Sequence, residues 1–207
     1  MGIWERLFAK DPSPEAEWVT VDGNQARFER IVDGVRIWRF PDGDALGVYF
    51  IPKVPDLPQA GSPEEFVARY TELVSSASSR LVEGELVDLR GFRALRAIVK
   101  VPQAPTGMTY VGSVTIPFSM CSYVLVVQCE ERGTTGIREA ILVRESFRDG
   151  GTPEDADEVV AHSTDAPVHD ARFPDHPVTR ARKHLAFVAS AVRIDDRLRS
   201  VKSFGLP

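Results

Sequence analysis

At 207 residues, with 43% hydrophobic and 27% charged side chains, the chain is long enough for one substantial core and is no disordered polymer. Its net charge of −5 argues against nonspecific nucleic-acid binding by the molecule as a whole. The longest apolar run, Tyr123 to Val127, is strand-sized and falls far short of the roughly 18 residues that span a bilayer.

The first residues, MGIWER, lack the apolar core and small-residue cleavage site of a secretory signal, and Arg6 stands where a myristoylation motif needs Ser or Thr. A cytoplasmic protein is expected. Ile3, Trp4, Leu7 and Phe8 are spaced for one face of a short terminal helix, which either packs on the body or serves as a partner-binding arm.

Strand signals follow. Trp18 to Val21 is short and ends at the turn Asp22-Gly23-Asn24. Ala26 to Val32 and Val35 to Phe40 flank Asp33-Gly34, a dipeptide that supplies the positive φ angles of a two-residue hairpin. After a second turn at Pro41 to Asp44, Leu46 to Ile51 is apolar on both faces, as in a central strand covered on each side.

Ser62-Pro63-Glu64-Glu65 reads as a capping box with proline at the first helical position. Behind it Phe66, Val67, Tyr70, Leu73, Val74 and Ala77 form a stripe at helical spacing, predicting a helix to about Ser78 that lays the stripe on a sheet. Glu85 to Leu89 and Phe92 to Val101 are the next strands. In the second of these Leu95, Ala97, Val99 and Val101 share one face and Arg96 and Lys100 the other, which predicts one packed and one partly wet face. Met108 to Ile116 and Ser122 to Cys129 form a further antiparallel pair, and Gly133 to Gly136 leads into a helix with apolar positions at Ile137, Ile141 and Leu142.

From Asp149 to Pro177 the chain is acidic, rich in Pro, Gly and His, and without sustained periodicity, so it reads as a linker. The tail has Val178, Ala181, Leu185, Val188 and Val192 at helical spacing with Arg180, Arg182 and Lys183 between them, a basic amphipathic helix. From Arg172 onward there are eight basic and three acidic residues. Such a helix docks its stripe on the body with its arginines in water, or engages an acidic partner; Glu154 to Glu158 is an internal candidate. The expected organisation is an α+β sheet domain over 1–148, an acidic linker over 149–177 and a helical arm over 178–207. Its fold class is one antiparallel β-sheet with two helices packed on it, plus the C-terminal amphipathic arm.

Candidate chemistry is sparse. Cys121 and Cys129 on one strand would be more than about 20 Å apart, beyond disulfide reach, so reduced buried thiols are expected. Cys129 precedes two glutamates, which raise a thiol pKa rather than lower it. His162, His169, His176 and His184 fall within 23 residues, but no metal-ligand spacing such as HExxH accompanies them, and no metal or cofactor is expected. Arg132, Gly133, Thr134, Thr135 and Arg138 surround a helix start that would aim amides at an anion; capping by Thr134 or Thr135 explains the same pattern. No GxSxG, Walker or GxGxxG pattern occurs.

The order hairpin, capped helix, antiparallel meander, helix resembles the PsbP-like superfamily, which includes DcrB-type lipoproteins and chaperones for type VI secretion effectors. The resemblance runs from about Arg27 to Phe147 and covers the RIWRF run at Arg36 to Phe40, SPEEF at Ser62 to Phe66 and RGTTGIR at Arg132 to Arg138. The run Gly112 to Glu139 also resembles bacterial proteins. A lipoprotein signal is absent, and the tail after Asp149 has no counterpart. The resemblance implies a noncatalytic binding or assembly factor: an accessory, chaperone or immunity-type protein with a protein partner. Trp4, Phe8, Arg180, Arg182 and Lys183 are the expected interface. The alternatives are an anion or small-ligand binder or enzyme at the 132–138 loop, and a metal protein using the histidine cluster.

Overall fold

The computed structural model describes residues 14–76, 78–148 and 164–207. Its elements in chain order are β1 (Val19–Val21), β2 (Arg27–Val32), β3 (Val35–Arg39), β4 (Ala45–Ile51), α1 (Pro63–Val74), β5 (Arg80–Leu89), β6 (Phe92–Pro102), β7 (Met108–Pro117), β8 (Ser122–Glu130), α2 (Ile137–Arg148), α3 (Pro177–Ala191) and β9 (Val192–Ile194). Seven strands form one antiparallel sheet in the order β2-β3-β4-β8-β7-β6-β5, and β1 pairs with β9 in a small separate ladder. The fold is α+β with an antiparallel sheet, as the sequence predicts. The Asp33-Gly34 turn has φ of 51° and 79°, the doubly positive geometry that a tight hairpin needs.

One face of the sheet is covered by α3, which lies on β7 and β8. Leu46, Val48, Ile98, Tyr110, Val114, Leu125 and Val127 from four central strands meet Val178, Ala181, Leu185 and Val188 of α3 in one buried cluster. The tail expected to be an arm is therefore the main cover of the core. Gly112 permits this approach: a Cβ there would sit 2.7 Å from Val127 Cγ2 and 3.0 Å from Leu185 Cδ1. The small ladder joins the same cluster through Trp18, Val19 and Val192.

α1 packs on β5 from the opposite side, with Phe66 fully buried. The Ser62 hydroxyl accepts the Glu65 amide at 3.2 Å, but the Glu65 carboxylate reaches Gly61 N at 2.8 Å, one residue before the predicted cap amide, and also holds Arg69. The helix stops at Val74 rather than Ser78, because Ser79 Oγ donates to Val74 O and Ser76 pairs with Ser79, offering the backbone a turn in place of another helical bond. Leu73 is correspondingly exposed. Ala77 lies outside the described residues.

The face of β6 predicted to be partly wet is divided: on the α3 side Lys100 is buried while Arg96 stays part-exposed, and on the α1 side Leu95 and Ala97 are fully buried. The Lys100 charge tolerates burial because α2 and the segment before α3 bring Glu139 and Asp165 to it. In α2 the buried positions are Arg138 and Leu142, whereas Ile137 and Ile141 are exposed, so a guanidinium occupies the stripe that the sequence assigned to aliphatic side chains. Of the predicted linker, residues 149–163 lie outside the described residues, together with His162 and Glu154 to Glu158. Residues 164–177 form turns that include buried Thr164 and Asp165.

Candidate functional site

The tail arginines do not all face water. Arg180 is buried and donates through Nε to Asp44 Oδ2 at 2.8 Å. Arg182 donates to Glu83 Oε1 and Asp170 Oδ1, each at 2.6 Å. Lys183, the next residue, is exposed, because helical geometry turns it about 100° from Arg182 and from His184. Arg138 is fully buried, with its donors spent on Thr164 O, Ala166 O, Asp170 and Thr179. Asp165 gathers Tyr110 Oη at 2.5 Å, Arg80 at 2.9 Å and Lys100 at 3.4 Å. These pairs fasten α3, α2 and residues 164–170 to the sheet. Beside the Asp165 carboxylate, burial and negative charge push the Tyr110 hydroxyl pKa far up, so it stays a donor.

Along β5 this network opens into a groove of about 930 Å³. Among the described residues β5 pairs with β6 alone, which leaves its outer edge, with that edge's N–H and C=O groups, beside the groove. Arg80 to Glu85 line it lengthwise, Asp165 to Pro167 and Arg182 wall one side, and Thr71 of α1 stands at the other. Its charges are mostly matched within the protein: Arg80 with Asp165, Arg96 with Glu85 at 2.6 Å, Arg182 with Glu83. What remains on offer is main chain. Of these residues only Arg182 stood out from the sequence, as part of the expected interface. The alternation of Glu83 and Glu85 opposite Arg96 was a readable signal, whereas Asp165 had none.

The 132–138 loop borders a smaller cavity of about 270 Å³, also lined by Arg172, Phe173 and His176. The Gly136 amide there is already taken. Glu131 Oε1 accepts Gly136 N at 2.6 Å and Oε2 accepts Met108 N at 3.0 Å, so Glu131 rather than Thr134 or Thr135 caps α2. Arg132 is bonded to Asp42 O and Asp44, and Arg138 is internally satisfied. Gly133 and Thr134 are exposed and Thr135 half-buried. The cavity thus has cationic walls whose charge is committed elsewhere.

The histidines separate. His184 stacks on Phe40 at 3.7 Å and places Nε2 3.0 Å from Asp42 and 3.2 Å from Asp44. His176 sits with Glu131 and Glu139, and His169 lies at the surface side of Arg138. Asp44, Cys129 and His184 bring three ligand-type atoms within 4.8 Å of one another, as do Glu131, Glu139 and His176. The donors of the first set are already engaged, whereas in the second Glu139 Oε2 and His176 Nε2 are buried with no hydrogen-bond partner among the described residues. Asp44 already receives two guanidinium groups and His184; burial alone would raise its pKa, but those hydrogen bonds and the Arg180 charge hold it at about 2. Nδ1 of His176 accepts the Val178 amide, which leaves its proton on Nε2, the atom facing Glu139 at 3.6 Å. Burial likewise opposes ionisation of Glu139, and His176, a backbone amide and Lys100 overcome it to hold that carboxyl at about 2. Cys129, Asp44 and His184 also have the composition of a thiol-nucleophile site, yet Cys129 is fully buried and its pKa is pushed up by burial and Asp44, opposite to the need of a nucleophile. Both cysteines are free.

Trp4 and Phe8 lie outside the described residues. No helix among those described is long and apolar enough to cross a membrane.

No protein-family model matches the chain, and no curated protein sequence does. Among solved structures, a mutant of the protein Mog1 aligns at a TM-score of 0.45 and 12% identity, over 91% of this chain and 97% of that one. The Saccharomyces cerevisiae Ran-binding protein Mog1p aligns at 0.44 and 12%, over 86% and 91%. The Pseudomonas aeruginosa protein PA94, of unknown function, aligns at 0.28 and 11%, over 63% of this chain and 98% of its own. The likeness is one of fold and does not single out the PsbP-like superfamily.

Proposed function

We propose that this chain is a noncatalytic protein-binding factor of the accessory, chaperone or immunity type, which receives an extended segment of its partner along the outer edge of β5. The observation that carries this reading is the groove over Arg80 to Glu85. Outside the register shift between Leu81 and Glu83, the unpaired strand edge offers a row of main-chain donors and acceptors, and an added strand satisfies them while its side chains alternate between the two walls. Six residues of edge correspond to roughly 20 Å at ~3.3 Å per residue, enough for a short linear motif. Because the wall charges are neutralised internally, affinity comes chiefly from the backbone ladder, and the partner segment is uncharged at its centre. The bacterial and PsbP-like parts of the proposal rest on the sequence resemblance, and a cytoplasmic location belongs to the same proposal. Trp4, Phe8 and Lys183 remain proposed as flanking contacts. A noncatalytic role is favoured by the suppressed thiol of Cys129 and by the Asp44 carboxylate and His184 Nε2, which already have partners.

The test is selection of linear peptides from a displayed random library, followed by amide chemical-shift mapping. Selected peptides should perturb Arg80 to Glu85, and Ala166→Trp, which fills the groove from its wall, should weaken them at least about tenfold, equal to 1.4 kcal/mol. Arg27→Ala, on β2 at the far edge of the sheet, should leave them unchanged. Perturbations confined to another surface, or no selectable peptide, would sink the reading.

A further inference from the structure

The opposite edge of the sheet carries a different message. All six residues of β2 are exposed, among them Phe28 at 49%, Ile31 at 61% and Val32 at 42%, although β2 belongs to the seven-stranded sheet. Charged residues and a bulge on an edge strand ordinarily discourage pairing. Here both features fit one particular partner. We propose that β2 pairs antiparallel with β2 of a second copy of this chain, about a two-fold axis passing between Glu29 and Arg30, making a dimer with one continuous sheet.

The register follows from the sequence of the strand. With the axis at that point, Phe28 lies opposite Ile31 of the second copy and Glu29 opposite Arg30, each pair occurring twice, while Arg27 meets Val32. Apolar meets apolar and opposite charges meet. A slip of one step puts Glu29 against Glu29 or Arg30 against Arg30 on the axis, so the neighbouring registers are penalised.

Sheet geometry supplies the second argument. In a regular antiparallel pair the opposed positions alternate between two hydrogen-bonding types, so a two-fold axis must run through a residue pair and cannot fall between two. β2 is not regular: its register against β3 shifts between Phe28 and Arg30. Phe28 stands opposite Trp38 and Ile31 opposite Arg36, which puts both on the α3 side of the sheet. Arg30, opposite Ile37, is on the other side, and Glu29 is there too, since its carboxylate holds Arg39 at 2.9 Å and Arg30 at 3.2 Å. The bulge makes Glu29 and Arg30 a single step of the strand, and the axis runs through that step. It also brings Phe28 and Ile31, three residues apart, onto one side where they meet their counterparts.

Sedimentation equilibrium on the full chain tests this. The expected species at micromolar concentration has twice the 22.9 kDa chain mass. Arg30→Glu places two like-charged pairs across the axis and should weaken the dimer roughly tenfold or more. Adding Glu29→Arg to Arg30→Glu restores opposite charges in the same register and should recover the dimer. Circular dichroism melts of each variant check that the fold persists. A monomeric wild-type chain overturns the proposal, as does a dimer indifferent to Arg30→Glu, or one that the double exchange fails to restore. The peptide groove on β5 is at the far edge, so either outcome leaves that reading to its own test.

Discussion

Arg180 and Asp44 are separated by 136 positions in sequence and joined by a 2.8 Å hydrogen bond in the core, with the Asp44 side chain fully buried. The pair pins α3 to the turn before β4. Removing one partner from a buried ion pair leaves the other charge uncompensated, which is costlier than never having had the pair. Arg180→Met should therefore destabilise the protein by about 3 kcal/mol, the low end for such losses because His184 and Arg132 still contact Asp44. The combined Arg180→Met and Asp44→Asn variant should lose less than the sum of the single losses in urea unfolding. Strict additivity would contradict the coupling.

Acid should expose the same pair and its neighbour. Asp44 and Glu139 are held at about 2, below their ordinary 3.8 and 4.5. A depressed carboxyl means that the unfolded chain binds protons first, so the stabilisation is complete above the ordinary values and disappears as pH falls through about 2. Each carboxyl contributes about 2 kcal/mol at neutral pH on this argument. Urea midpoints measured from neutral pH downward should fall across that window, and less steeply in Asp44→Asn. An equal slope in the variant would remove Asp44 from the account.

Tyr110 gives the Asp165 carboxylate its shortest hydrogen bond, at 2.5 Å, from β7. Tyr110→Phe keeps the ring and deletes one donor to a buried carboxylate, a loss of about 2 kcal/mol. Thermal and chemical denaturation should agree on this, with far-ultraviolet circular dichroism unchanged. A neutral result would mean that Arg80 and Lys100 alone satisfy Asp165.

Gly112 lies where α3 comes down on the sheet. Gly112→Ala puts a methyl 2.7 Å from Val127 Cγ2, and both sheet and helix are held by their neighbours, so relief requires a shift of packed elements. The expected cost is about 1 to 3 kcal/mol. Gly133→Ala, with nothing within 4 Å of its Cβ position but φ of 72°, probes backbone strain alone and should cost about 1 kcal/mol. Reversal of that order would indicate that α3 is loosely seated.

Lys183 and Arg182 are adjacent but differ in surroundings. Lys183→Ala should change stability by no more than about 0.5 kcal/mol, whereas Arg182→Ala, which frees Glu83 and Asp170, should cost about 2 kcal/mol. Similar losses for both would contradict the burial of Arg182.

Much of the architecture was written locally. Alternation in β6, the Asp33-Gly34 turn, the Ser62 cap and the Val178 to Val192 stripe each depend on residues within one or two turns of chain, so the sequence determines them unaided. Side chains with two compatible environments were left to the tertiary structure. Arg138, Arg180 and Lys100 are as consistent with water as with a buried partner, and only the return of α3 over β7 and β8 brings Asp44, Asp165 and Asp170 close enough to make burial favourable. Glu131 became a cap because Met108 and Gly136 converge on it. The β5 groove exists because no described strand follows β5 at the edge of the sheet. Strand order, like burial of charge, depends on contacts between residues far apart in sequence, and local pattern carries no information about them.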